Sequence, residues 1–446
     1  MKVTIVGGGG FRVPLVYTAL LEVSERLGVD ELLLHDVDEE RLARIEKVLG
    51  GLAEERSRRL PFRSTTDLEE AVAGAGFILC AIRVGLLEGR VIDESVPLSQ
   101  GVLGQETTGP GGICFALRTI PAMMRIAEAV AEHAPEAWFI NFTNPAGMVT
   151  EAVQRVLGDR AIGICDSPAG LCRRVAAALG REPDELWFDY FGLNHLGWLK
   201  GVRAGERDLL PDLLADDERL RGFEEGRLFG GDWLRSLGMI PNEYLYYFYY
   251  AAETVDAVRQ SHSSRGAYLL AQQREFYAQD GQSSEQALAR WRSTRHDRER
   301  TYMAEARLAA GDDADHEVTG NSGYEAEAVA LMEAIALNTR ATLILNTANR
   351  SSLSFLGERA VVEVPNTVGR AGAVPTATGS VPAHARALVV TMKDIEQRTI
   401  DAALTRSSEA AIAALALHPL VPSVRTARAI FDGYRARLPE LQEEFS

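Results

Sequence analysis

The chain has 446 residues, enough for two or three domains of about 100–200 residues each, and so too long for a small stapled module. Hydrophobic residues make up 46% and charged residues 25%, the balance of an ordinary globular protein and not of a disordered one. With 47 Lys and Arg against 63 Asp and Glu, the net charge of −16 disfavours nucleic acid and anionic membrane surfaces as partners, so an anionic ligand has to be captured by a local cluster of donors.

The first residues, Lys2–Val6, form a β-branched run that stops at Gly7, Gly8, Gly9 and Gly10, and Val13 to Val23 then carries apolar residues at helical spacing. This is the order strand, glycine turn, helix. The next strand, Glu31–His35, ends at Asp36, with Asp38, Glu39 and Glu40 supplying first-turn charge to a following helix. In a dinucleotide-binding unit the glycines, with Phe11 and Arg12 behind them, let a pyrophosphate approach a helix N-terminus, while the acid ending strand two holds the ribose 2′-hydroxyl. Asp36 favours NAD over NADP, because it would repel a 2′-phosphate. The glycines do not complete G-x-G-x-x-G, since Arg12 or Val13 occupies the third glycine position, and a glycine turn of another α/β protein is the alternative.

Strands at Phe77–Ile82, Trp138–Asn141 and Ala161–Cys165 alternate with helices at Thr66–Ala73 and Arg118–Ala134, which predicts a Rossmann-like, doubly wound parallel sheet in residues 1–195. Residues 196–446 are expected to form an α+β substrate-binding domain. It contains an aromatic cluster at Tyr244–Tyr250, surface helices over Ser261–Leu308, a loop at Gly311–Asp315, an amphipathic helix Tyr324–Asn338, strands Ala341–Thr347 and Ala360–Val364, and a helical tail from Ala383 to Leu417. Cys80, Cys114, Cys165 and Cys172 match neither a disulfide framework nor a paired zinc site. With no signal-like or membrane-spanning apolar stretch in view, a cytoplasmic protein is expected.

Ligands of an open parallel sheet bind beyond the carboxyl ends of its strands. Four segments were expected there: Ala81–Gly85, Asn141–Pro145, Gly163–Pro168 and Gly192–Leu196. Cys165 and His195 could together hold a borderline divalent metal, although a Cys and a His this far apart are more often unrelated.

The glycine turn, Gly104–Gly112, Asn141-x-x-Asn144-Pro145, Cys165-Asp166-x-Pro168, Gly192–His195, Val362–Pro365 and His418–Val421 together resemble glycoside hydrolase family 4 from end to end. The resemblance implies a fold like lactate and malate dehydrogenases, dependence on NAD and a divalent metal such as Mn2+, and a homodimer or homotetramer. The implied reaction is hydrolysis of 6-phosphoglycosides by oxidation at C3, deprotonation at C2, elimination and water addition, an exception to two-carboxylate glycosidases. By the same resemblance Cys165 and His195 are metal ligands and Tyr244 is the base. Asp166 is a candidate general acid, Asn144 a donor to sugar hydroxyls, and Glu106 an orienting group. Arg83, Arg90 and Arg265 are candidates for the phosphate, because guanidinium forks bind it bidentately. Gly10 replaces the family's usual serine. The overall pattern suggests the 6-phospho-β-glucosidase branch, whereas Asp166 after the metal cysteine suits α-acting 6-phosphoglucosidases and α-galactosidases. The rival class is an NAD-dependent dehydrogenase of a sugar acid or 2-hydroxy acid.

Overall fold

The computed structural model describes residues 1–56, 59–260, 264–278, 283–301, 307, 310 and 323–445. Six strands run parallel: β1 (Lys2–Val6), β2 (Glu31–His35), β3 (Phe62–Thr65), β4 (Ala75–Cys80), β5 (Trp138–Asn141) and β6 (Ala161–Gly163). Their spatial order is 3-2-1-4-5-6, the arrangement of a dinucleotide-binding sheet, whose direction reverses between β1 and β4. Val6 pairs with His35 on one side and Cys80 on the other, so the crevice at the switch point opens directly above the glycine turn.

Three later strands, β11 (Ala341–Ala348), β12 (Val361–Gly369) and β13 (Gly372–Pro375), extend this sheet antiparallel beyond β6. They belong to the half of the chain expected to form a second domain, yet they join the first sheet. A smaller antiparallel sheet is built on β7 (Trp187–Leu193) and β8 (Leu196–Ala204), flanked by β9 (Arg207–Asp208) and β10 (Ile240–Pro241). One face of the large sheet is covered by the helix Pro110–His133 and the C-terminal helices. The other face carries Val13–Leu27 and Tyr324–Leu337. Because both faces are covered, the central strands read as near-continuous apolar runs such as Leu32-Leu33-Leu34, each 0% exposed.

Several expectations need correction. Gly192–Leu196 is not the end of a parallel strand: Asn194 and His195 form the two-residue turn of the β7–β8 hairpin, with His195 at φ +60°. The helix Tyr324–Leu337 is buried on most of its circumference and is not amphipathic, because it lies between the sheet and the helix Val13–Leu27. The helix expected from Arg118 begins at Pro110, inside the glycine-rich segment. The helix expected over Thr66–Ala73 is shortened to Leu68–Val72, where the Asp67 side chain caps the Glu70 N–H. The tail divides into Ala383–Thr405 and Ser408–Leu417 at Arg406, which has φ +57°, and Ser407 caps the second helix. The loop expected at Gly311–Asp315 lies outside the described residues, as do parts of Ser261–Leu308, including Ser263. Among the described residues no helix is long and apolar enough to cross a membrane.

Candidate functional site

A pocket of about 380 Å3 opens at the switch point, within the size range of small-molecule sites. Its walls bring together Gly7, Gly10, Phe11, Arg12, Arg83, Arg90, Asn144, Cys165, Asp166, His195, Tyr244 and Arg265, residues spread over more than half the chain. Gly8, Gly9 and Asp36 stand behind this wall.

The glycine turn is tight for a steric reason. Gly7 has φ +95°, and a Cβ on it would lie 2.5 Å from the Ala81 carbonyl oxygen. A Cβ on Gly9 would meet the Arg41 side chain at 2.8 Å and Asp36 Oδ2 at 3.0 Å. Asp36 Oδ2 accepts the Gly9 N–H at 3.0 Å, which fixes the carboxylate beside the turn at the end of β2. From the other side, Tyr277 donates to the Gly9 carbonyl and Trp291 Nε1 to the Phe11 carbonyl, both at 2.8 Å. The helix beginning at Val13 has no side-chain cap, its Val13 and Leu15 N–H groups bond the Gly10 and Arg12 carbonyls and Pro14 has no N–H, so what it offers an anion is the positive end of its dipole beside the glycine turn. A dinucleotide pyrophosphate fits this cradle.

Cys165 follows β6 and is buried. Burial, with Glu363 and Asp166 nearby, pushes its thiol well up in the protein without a cation. The His195 ring stacks on that of Tyr244, centroids 3.7 Å apart and planes 5° from parallel, and burial lowers its pKa to about 4 despite Asp166 and Glu106. A neutral imidazole with a sealed, unpartnered Nδ1, facing the same pocket as a soft thiol, suits a borderline divalent metal. No group of three or more His, Cys, Asp or Glu among the described residues is arranged to hold a metal, so other coordination positions would fall to substrate oxygens and water.

Electrostatically the pocket has two poles. At one, Glu106 pairs with Arg83 at 2.7 Å and with Arg90 at 2.7 Å; burial opposes its charge, but Arg83, Arg90 and Arg298 outweigh it and hold its pKa to about 2. Arg90 also pairs with Glu94 at 2.7 Å, and Arg265 donates to the Arg298 carbonyl at 2.7 Å and to Thr301. At the other pole Ser167 donates to Glu243 at 2.7 Å, beside Glu224 and the Arg174–Glu225 pair. Burial pushes Glu243 well up, and Glu225 and Glu224 add to this against Arg174. Asp166 lies between the poles, 3.7 Å from Arg12.

Two pocket residues escaped the sequence reading. Arg298 sits in a segment read as surface helix, yet it lies over the Phe11 ring at 5.8 Å, and burial together with Arg12, Arg265 and Arg90 lowers its pKa to about 9. The available signal was helical spacing: Arg298 stands two turns from Trp291, an apolar anchor on an otherwise polar helix. Glu243, next to Tyr244, was hidden inside an aromatic run. Behind the site Glu363 is fully buried and accepts hydrogen bonds from Tyr190 at 3.1 Å, Asn194 at 3.1 Å and Asn346 at 2.9 Å. Asn194 in turn accepts the Ala146 N–H at 3.1 Å, tying the His195 turn to the Asn144 loop.

The described geometry agrees with comparisons to known proteins. Residues 2–181 match the family model described as Family 4 glycosyl hydrolase, and residues 190–421 that of its C-terminal domain. The chain is 31% identical over 450 residues to 6-phospho-alpha-glucosidase 1 of Lacticaseibacillus paracasei, covering 97% of this chain and 96% of that protein. It superposes on the 6-phospho-beta glucosidase of Thermotoga maritima, whose structure contains manganese, NAD+ and glucose-6-phosphate, with a TM-score of 0.82 and 26% identity over 98% of each chain. The likeness to malate dehydrogenase from Plasmodium falciparum, TM-score 0.51 at 11% identity over 91% of this chain and 99% of that one, is one of fold alone. The fold is that of a dehydrogenase-like glycosidase. The chain belongs to family 4 of the glycosyl hydrolases.

Proposed function

We propose that the protein hydrolyses 6-phosphoglucosides with NAD and a divalent metal, probed best as Mn2+, as its cofactors. The observation that carries this reading is the convergence of a dinucleotide cradle, a Cys165–His195 pair, Tyr244 and a cationic pole in one pocket. When bound, NAD+ supplies a reversible hydride acceptor for C3 of the sugar, and the metal supplies a Lewis acid for its O2 and O3.

The chain's own residues do the rest. Arg83, Arg90 and Arg265, with Arg298, bind the phosphate, and Glu106 keeps Arg83 and Arg90 turned toward it. Asn144 offers an amide to the sugar hydroxyls. Cys165 and His195 hold the metal. Tyr244, stacked on His195, takes the proton from C2 as its phenolate, a form that the charge of a metal held by Cys165 and His195 would favour. Asp166, on the pocket wall beside Cys165, protonates the departing C1 oxygen.

The linkage has two readings. The β-glucoside reading rests on the glycine turn and the Asn144 segment. The α reading is favoured by the carboxyl of Asp166, next to Cys165 on the pocket wall. Paired p-nitrophenyl α- and β-glucoside 6-phosphates decide between them when NAD+, Mn2+ and thiol reductant are omitted in turn. Cleavage of one anomer that needs all three without net NADH is the expected result. NADH accumulating on a sugar acid, with neither glucoside cleaved, would refute the glycosidase chemistry in favour of a dehydrogenase.

A further inference from the structure

His195 belongs to the walls of two cavities. Besides the main pocket, it closes a small one of about 30 Å3, whose lining includes Thr108, Asn194, Glu396 and His418 among apolar side chains. That volume exceeds the roughly 10–15 Å3 one water needs. Besides Glu396 Oε2, which is ion-paired with Lys393, the wall residues carry three polar atoms that are sealed from solvent and hydrogen-bond to none of the described residues: His195 Nδ1, His418 Nε2 and Thr108 Oγ1. Sealed polar atoms of this kind are costly unless an internal water satisfies them.

The tautomers make the need for water specific. His418 Nδ1 accepts the Leu420 N–H at 3.1 Å, and burial keeps the ring neutral, so its single proton sits on Nε2. With Nδ1 of His195 the sealed nitrogen, its Nε2 is left for the main pocket, and a neutral ring ligating through Nε2 carries its proton on Nδ1. Two residues that line one cavity then carry sealed N–H donors, which cannot bond each other. A water oxygen could accept from both, and the same wall offers acceptors for its own protons in Thr108 Oγ1 and the Glu396 carboxylate, which is paired with Lys393.

We propose that this cavity holds an ordered water bridging His195 to His418 and Thr108, making the latter two positioning residues for the metal-binding imidazole. The inference rests on His195 being a metal ligand. It also gives a role to the His418–Val421 segment, which lies far along the chain from the pocket motifs.

The test begins with a high-resolution crystal structure of the wild-type enzyme, where density for a water within hydrogen-bond distance of His195 Nδ1 and His418 Nε2 is expected; a dry cavity overturns the inference even if every variant misfolds. Titration of Mn2+ followed by electron paramagnetic resonance should show Thr108→Val and His418→Leu binding the ion about 10- to 100-fold more weakly, the usual effect of removing an outer partner of a metal-bound histidine. NAD+ affinity, read by fluorescence titration, should not change, and His418→Gln, which keeps an N–H donor, should recover much of the loss. Wild-type Mn2+ affinity in Thr108→Val and His418→Leu, alongside its loss in Cys165→Ser and His195→Ala, overturns this inference alone. Mn2+ affinity undiminished in Cys165→Ser and His195→Ala overturns the metal reading, and this inference with it.

Discussion

Arg298→Gln separates binding from stability at the cationic pole. In the unliganded protein the guanidinium is penalised by burial and by Arg12, Arg265 and Arg90, which lower its pKa to about 9. Replacing it with a neutral amide relieves that repulsion, so the melting temperature should stay level or rise. Toward a phosphate dianion the same charge is an asset. A hydrogen bond to a charged group contributes about 1.5–3 kcal/mol, so its loss should lower kcat/KM for a p-nitrophenyl glucoside 6-phosphate by about ten- to a hundredfold, mainly through KM. The unphosphorylated glucoside provides the control, because its kinetics should not respond. An unchanged KM for the phosphorylated substrate, or a lowered melting temperature, would refute the assignment of Arg298 to the phosphate.

Glu106→Gln should weaken substrate binding and also destabilise the fold, since it leaves Arg83 without its carboxylate and Arg90 with Glu94 alone, and removing one partner of a partly buried charged hydrogen bond costs about 1–3 kcal/mol; thermal melts and KM read the two effects together. Because Glu106 is held to about 2, these pairs should persist throughout the working pH range. Glu363 titrates at about 7, raised first by burial against the donors Asn194, Asn346 and Tyr190. Its folded pKa exceeds its unfolded value, so the stabilisation is complete below the ordinary carboxylate range and is lost as pH rises through about 7, on the order of 3 kcal/mol in metal-free protein. Glu363→Gln should remove this slope in denaturant melts between acidic and neutral pH. Tyr244→Phe should lower kcat by about 100- to 10,000-fold, as for loss of a positioned proton-transfer group, while NAD+ and Mn2+ affinities measured by titration stay near wild type.

The sequence disclosed most where one local rule sufficed. Strand β1, the glycines and strand β2 with Asp36 after it are contiguous, and the β-branched run and the steric demand at Gly7 are both local properties. The His195 position was legible as a residue of interest but not as a hairpin turn, because pairing between β7 and β8 is a register relation that alternation alone does not reveal. The same limit hid the outer strands: β11 reads as a strand anywhere, and among the described residues a single pairing, Asn346 with Gly163, joins it to β6 of the first sheet.

Arg298 exposes a different gap. A helix rich in Arg and Asp is normally solvated, and composition gives no reason to bury one of its cations. Burial there is imposed from outside the helix, by Trp291 anchoring to the Phe11 carbonyl and so turning the Arg298 face toward the glycine cradle. Part of the mutual repulsion at this pole is therefore a consequence of folding itself: docking this helix closes the dinucleotide cradle and brings Arg298 beside Arg265, Arg90 and Arg12. A protein of net charge −16 that concentrates cations in this way has specified the sign of its ligand locally, against its own global field.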